Sequence, residues 1–475
     1  MKLRQVFIDR SKSIESAISF SLFRHGVRIL IPLLTYPIVY PILGPAEIGN
    51  INWALTLINI LILVTSLGLD TSALKKISQL KFQRELVEKI CEKVIIIKSI
   101  GFLISLVILA LSLIIFPSSI KLLYTFLLLP ILVSQIYGSE FLYTSYQLQK
   151  YTFQTLFLSN ILFIALLVYW YYYNQTGIWY IMIYSICFSL GYFLNGYRIY
   201  EKFELVWYRI EELTVLIKKG VATFLINLSQ SFFGKFDLIL FGFILSEYNY
   251  GLLSSDYRIV MIGTVAISSI AIVILPKTIE LLAKERDTFL SDVLYLNTFI
   301  SLMISVMTIL NADIIIEILF GEDFLKAAPI LRILAPIQIL IVIQNFFVWN
   351  VLYPNKKPYQ IFWTTTPGIL LVVTILLVFS NELNTETLIF ISYTGILINL
   401  ISALLLTNKE QLSKLNFNWL KPVFAVGIGL ITIEFMQFLS GAIWRNLIFL
   451  GVFVLISFIV KDKVLIGLLK RRGIS

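Results

Sequence analysis

Residues 14–69 read IESAISFSLFRHGVRILIPLLTYPIVYPILGPAEIGNINWALTLINILILVTSLGL. The stretch holds two apolar runs, 14–42 and 48–69, on either side of the turn Leu43-Gly44-Pro45-Ala46-Glu47-Ile48-Gly49. Each run reaches the roughly 20 residues that a helix rising about 1.5 Å per residue needs to cross a bilayer core. The pair therefore reads as a helical hairpin in a membrane. Its first run is too long for the core of a signal peptide and lacks a small-residue cleavage site, so it is expected to stay as the first membrane helix.

The rest of the chain extends that pattern. Of 475 residues 58% are hydrophobic and 14% charged, with a mean hydropathy of +0.88, far more apolar than the roughly 45–50% and 25% of soluble domains. The 24 Tyr and eight Trp suit the headgroup level, where amphipathic rings settle. Further spans are predicted over 94–116, 120–147, 153–173, 178–198, 219–246, 252–275, 289–310, 327–353, 360–380, 386–406, 420–439 and 442–460. The fold class is thus an all-α integral membrane protein of about 14 transmembrane helices.

The linkers alternate between long basic segments and short ones nearly free of Lys and Arg. On this layout 29 of the 38 Lys and Arg fall on the side of the N-terminus, three on the far side (Lys121, Lys326, Arg445) and six inside helices. The positive-inside rule then places both termini in the cytoplasm, and only an even number of spans preserves the asymmetry. The formal net charge of +10 follows from topology and attraction to anionic lipid, with no call for nucleic acid. One basic linker, Asp70 to Lys93, carries Leu74, Ile77, Leu80, Leu86 and Ile90 at helical spacing, and is expected to form an amphipathic helix lying on the inner leaflet.

A repeat divides the spans. Leu43 to Gly49 and Leu245-Ser246-Glu247-Tyr248-Asn249-Tyr250-Gly251 match Leu and Gly in register at an offset of 202, and the ends of spans 4 and 10 match at a similar offset. Six helices separate the copies, so both halves share one orientation, as in transporters built from parallel repeats. The expected organisation is an N-terminal lobe over 1–218 (helices 1–6), a C-terminal lobe over 219–406 (helices 7–12), and two extra helices with a basic cytoplasmic tail over 407–475.

Composition also excludes much. Two cysteines, Cys91 and Cys187, lie in different segments, and His25 is the only histidine, so disulfide frameworks, zinc sites and histidine triads have no material. No GxxxxGK[ST] loop occurs, which removes direct ATP coupling. No metal or cofactor is expected, and an enzymatic role has no catalytic constellation to support it.

Three features together resemble a known family: the Leu-Gly-Pro-x-Glu-x-Gly turn at Leu43 to Gly49, Asp237 with Tyr257-Arg258-Ile259, and the loop Leu319-Phe320-Gly321-Glu322-Asp323-Phe324-Leu325-Lys326-Ala327-Ala328-Pro329. With them the chain resembles the polysaccharide-flippase (O-antigen, Wzx-type) branch of the multidrug, oligosaccharidyl-lipid and polysaccharide exporter superfamily. Ser246 departs from the glycine expected in the second turn. The resemblance implies two six-helix lobes around a cavity in a bacterial inner membrane. It also implies alternating access and a substrate of oligosaccharide on an undecaprenyl diphosphate carrier. Expected partners are that lipid-linked oligosaccharide, membrane lipids and polysaccharide polymerase machinery. Energy would come from a proton or sodium gradient or from downstream removal of product. Two other functions stay open: a cation-coupled multidrug exporter of the same superfamily, which an excess of intramembrane basic residues disfavours, and a membrane glycan polymerase or ligase, for which the outer linkers are short.

Charged groups inside spans cost about 2.5–3.5 kcal/mol or more at mid-bilayer and usually face a bundle interior or water. Arg24 and Arg28 lie one turn apart on helix 1 with His25 in the same sector. Two like charges at that spacing suit an anion between them, and guanidinium forks match phosphate oxygens. The alternative is that they pair with acidic groups of neighbouring helices. Pro32 and Pro37 follow in the same helix, and with Gly49 and Gly251 in the turns they are candidate gating positions. Lys235 and Arg332 would extend a cationic lining, and Asn227 and Gln230 offer amides to sugar hydroxyls. Asp237 is expected to pair with Arg258. Glu140 and Glu434 are candidates for cation coupling, Glu140 equally for balancing a basic neighbour. Lys98 is expected to snorkel toward the cytoplasmic interface.

Overall fold

The computed structural model of the chain describes residues 13–80, 84–115, 120–146, 148–200, 210–280, 283–353, 358–379, 383–407 and 412. Predicted spans 13 and 14, Arg445, Glu434 and the basic tail lie outside the described residues, as does the side chain of His25. In chain order the helices are α1 Ser13–Ser66, α2 Leu69–Gln79, α3 Arg84–Ile115, α4 Ile120–Leu127, α5 Leu129–Ile136, α6 Glu140–Ser145, α7 Gln149–Tyr173, α8 Gly177–Tyr200 and α9 Ile210–Gln230. A π-turn at Phe232–Phe236 leads into α10 Asp237–Ile244, α11 Glu247–Glu280, α12 Ala283–Leu310 and α13 Ala312–Phe320. A 3-10 turn at Glu322–Ala327 leads into α14 Ala328–Leu334 and α15 Ile337–Phe346, and a second π-turn at Phe347–Leu352 precedes α16 Pro358–Phe379 and α17 Thr385–Leu406.

Among the described residues, seven helices are long and apolar enough to cross a membrane, or nine when each of two bent pairs counts as one span. The chain is a multi-pass membrane protein. It divides into two compact units, Met1–Ser254 with Leu319–Asp323, and Ser255–Ile318 with Phe324–Ser475.

In the first unit, α1 carries both runs of the opening hairpin and is interrupted at Gly44, whose φ of 72° lies in the left-handed region that favours glycine. Pro45 then begins the next helical run, where its missing N–H costs nothing. Tyr124 of α4 donates to the Glu47 carboxylate, so the turn is tied to a neighbouring helix. In the second hairpin Ser246 stands where the first has Gly44. Its hydroxyl accepts the Asn249 N–H at 3.3 Å and caps α11, so a side-chain cap replaces the left-handed glycine.

The offset of 202 recurs in space. A Cβ built on Gly49 would fall 2.3 Å from the Glu247 carbonyl oxygen, and one on Gly251 would fall 1.8 Å from the Pro45 carbonyl oxygen. Each glycine thus admits the carbonyl that the repeat assigns to the other. Just beyond them, Asn52 Nδ2 donates to Ser254 Oγ at 3.0 Å, again between residues 202 apart.

Several predicted elements change. Span 4 is broken into α4, α5 and α6, because Pro130 in the first turn of α5 cannot continue the preceding ladder and Gly138 opens a second gap. Span 7 bends by 78° between Leu216–Gln230 and Phe232–Ile244, where Gly234 takes φ 84°. Span 10 bends by 45° at Pro336, between Glu322–Leu334 and Ile337–Leu352. Residues 312–320, expected as a linker, form α13.

The linker after span 2 is also corrected. Helix α2 does form, but Leu69, Ala73 and Ile77 are buried against Val87, Ile90, Cys91, Phe141, Leu142, Leu213 and Leu216. Its apolar stripe is covered by α3, α6 and α9 rather than by lipid, which removes more apolar surface from water than an interfacial position allows.

Helix α7 ends in Tyr169-Trp170-Tyr171-Tyr172-Tyr173. Trp170 is buried and its Nε1 donates to the Thr176 carbonyl at 2.9 Å, whereas the four tyrosines are exposed. In the second unit, α16 and α17 pack closely at Gly368, where a Cβ would fall 2.1 Å from the Gly395 carbonyl oxygen. Asn384 and Thr387 close a capping box at the start of α17.

Candidate anion site on the first helix

The site is built from the break between α5 and α6. Gly138 N–H donates to the Gln135 carbonyl at 3.1 Å, ending α5, and Glu140 opens α6. The Gly138 carbonyl in turn accepts Lys98 Nζ at 3.0 Å, and Lys98 Nζ lies 2.7 Å from Asp70 Oδ1. Lys98 is 2% exposed against 48% for Asp70. The expected snorkelling is therefore replaced by a buried ammonium that joins α2, α3 and the break, also lying 5.5 Å from the Phe141 ring centroid. A paired, hydrogen-bonded cation needs no route to the interface.

That break presents Glu140 to the first helix. Arg24 Nη1 lies 3.0 Å from Glu140 Oε2 and Arg28 Nη2 lies 3.2 Å from Oε1, one guanidinium on each carboxylate oxygen. The one-turn spacing of the arginines places both forks on one side of α1. Arg24 is 12% exposed, Arg28 43% and Glu140 34%, so the cluster is accessible at one side. One buried donor beside it has no partner among the described residues, Arg24 Nε. The Gln135 side chain hydrogen-bonds Tyr192, which interacts electrostatically with Glu140, Arg28 and Arg24. Chemically this is an anion site with more donors than its resident carboxylate uses.

The other candidates lie on several elements. Gln230 closes α9 with its Nε2 buried and without a partner among the described residues, and Asn227 is half-buried one turn earlier. Lys235 is half-buried in the π-turn. Asp237 Oδ1 accepts the N–H groups of Gly234 at 2.7 Å and Leu238 at 2.8 Å, fastening the turn that starts α10. Arg258 lies half-buried on α11. Pro32 is half-buried and Pro37 exposed on α1, and Gly49 and Gly251 form the close crossing described above. Arg332, placed in the cationic lining, pairs with Asp313 at an exposed position.

Sequence reading missed Asp70, Gln135 and Tyr192 as neighbours of the charged cluster. Their contacts join distant segments, and no local period announces them. It also missed Asp256, fully buried on α11 with neither carboxylate oxygen bonded among the described residues.

Comparison with known proteins agrees with this architecture. The model of the family described as polysaccharide biosynthesis protein matches residues 16–282. A solved structure described as lipid II flippase MurJ, in an inward closed conformation, superposes with a TM-score of 0.72 at 17% identity, covering 94% of this chain and 99% of that one. No curated protein matches the sequence significantly. The chain belongs to the polysaccharide biosynthesis protein family and has the fold of a lipid-linked substrate flippase.

Proposed function

We propose that this member of the polysaccharide biosynthesis family is a flippase that carries an oligosaccharide on undecaprenyl diphosphate, an O-antigen or capsule repeat unit, across a bacterial inner membrane by alternating access. The observation that carries this reading is the pair Arg24 and Arg28, both aimed at one carboxylate from a membrane-embedded helix. Moving a charged diphosphate through hydrocarbon without compensation is prohibitive, and two guanidiniums offer that compensation. The polyprenyl tail stays in lipid while the headgroup occupies the polar site. Lys235 and Arg332, with Asn227 and Gln230 for sugar hydroxyls, complete the substrate contacts in this reading. A proton or sodium gradient, or consumption of the product outside, drives net flow. Both termini face the cytoplasm, where the basic linkers meet anionic lipid, and the product passes to polymerase machinery on the other face.

The test is complementation of a strain lacking an oligosaccharide-lipid flippase, scored by the pool of lipid-linked unit on the cytoplasmic face. Wild-type chain clears the pool, and the variant carrying both Arg24→Gln and Arg28→Gln leaves it. Clearance by that variant at wild-type protein level overturns the assignment.

A further inference from the structure

Resting on that reading of Arg24 and Arg28, we propose that Glu140 is the specificity-determining residue of the site, a built-in occupant that admits dianionic diphosphate headgroups and turns away the monoanionic phospholipids around it. With Glu140 ionised, the cluster of two guanidiniums and one carboxylate carries a net single positive charge. A monoanionic headgroup entering it exchanges one negative charge for another. That exchange leaves nothing to offset the cost of displacing Glu140, which either anion must meet. A diphosphate brings two charges to the same two guanidiniums and more acceptor oxygens than a carboxylate has.

An unused donor points the same way. Arg24 Nε is buried and without a partner among the described residues, and the carboxylate does not reach it. An anion with acceptors on two phosphorus centres can satisfy the guanidinium forks and this donor together; a single phosphodiester has too few oxygens to replace Glu140 and reach it as well. Among the described residues the Glu140 carboxylate is paired with Arg24 and Arg28 at the break between α5 and α6, and it is a third exposed, so it can swing out as the headgroup arrives. Lys98, the other cation nearby, is already engaged by Asp70 and the Gly138 carbonyl and remains in place during the exchange.

The experiment uses the full chain in phosphatidylcholine nanodiscs at fixed pH and ionic strength. A fluorescent short-chain prenyl diphosphate serves as ligand and a short-chain phosphatidylglycerol as competitor. Wild-type protein is expected to prefer the diphosphate by about tenfold or more, and Glu140→Gln to lose most of that preference through tighter phosphatidylglycerol binding, since the neutral amide vacates both guanidiniums. Glu140→Asp keeps the charge and should restore the preference. The proposal is overturned if Glu140→Gln, with wild-type thermal stability, discriminates as the wild type does. It is also overturned if Glu140→Gln and Glu140→Asp lose discrimination alike. The variant carrying Arg24→Gln and Arg28→Gln separates the two levels. If it still binds the diphosphate as wild type does, the anion site itself is wrong; if it fails to bind while Glu140→Gln discriminates normally, only the role of Glu140 is wrong.

Discussion

Replacing Gly251 by alanine tests the crossing at which the two turns meet. The added methyl carbon would sit 1.8 Å from the Pro45 carbonyl oxygen and 2.7 Å from its carbon, both backbone atoms that cannot rotate away. A carbon–oxygen contact relaxes to about 3.3 Å, so the backbones must part by about 1.5 Å. Overpacking of this kind costs about 1–3 kcal/mol, and a rigid carbonyl puts it at the upper end. Alanine returns about 1 kcal/mol of helix propensity, which leaves a net loss of about 2 kcal/mol. The equivalent change at Gly49 starts from 2.3 Å and should cost less. The two losses should also fall short of adding, because parting the backbones once relieves both contacts. Thermal unfolding of the full chain in nanodiscs, followed by intrinsic fluorescence, gives the order wild type, Gly49→Ala, Gly251→Ala. If Gly251→Ala unfolds at the wild-type temperature, or Gly49→Ala is the weaker of the two, the crossing is not held as described.

Three further outcomes follow from charged groups. Asp70→Ala should destabilise more than Lys98→Met, by roughly 2 kcal/mol in the same unfolding assay, because the first strands a buried ammonium while the second frees a half-exposed carboxylate to meet water. Asp256→Asn should leave the unfolding temperature unchanged or raise it, since it replaces a fully buried carboxyl whose oxygens have no partner among the described residues; a clear fall would reveal an ion or bonded group there. Arg332→Gln should change stability by less than about 1 kcal/mol, as expected when an exposed ion pair with Asp313 is lost, and a double-mutant cycle with Asp313→Asn reads the coupling.

Much of this molecule could be read from apolar period and charge. The break at Gly44 between the two apolar runs of residues 14–69, the helical character of the described spans and the membership of a polysaccharide biosynthesis family were all visible in residue order. So was the proximity of Arg24 to Arg28, because one helical turn is a local relation. The breaks were harder. Pro130, Gly138, Gly234 and Pro336 sit inside runs whose hydropathy never falters, so a window that averages apolarity passes over a bend that one backbone bond creates. Pairing partners were hardest, since Glu140 is 116 residues from Arg24 and Lys98 meets Asp70 only because α2 folds back on the protein. The expected position of α2 on the leaflet failed for the same reason. An amphipathic stripe states that a face will be covered, and only packing decides by what.

The tyrosines that close α7 have a consequence for any reconstitution. From Lys150 to Tyr169 the helix advances 19 residues, about 28 Å at 1.5 Å each. Cationic and phenolic groups at its two ends anchor at headgroup depth, so that distance acts as a ruler laid across the bilayer. It falls slightly short of the roughly 30 Å of a typical hydrocarbon core. Lipids with longer tails must thin around this helix or drag its anchors inward, at fractions of a kcal/mol for each ångström of mismatch. Acyl-chain length is therefore an experimental variable comparable in size to several of the substitutions above, and the same variant can rank differently in thin and thick membranes.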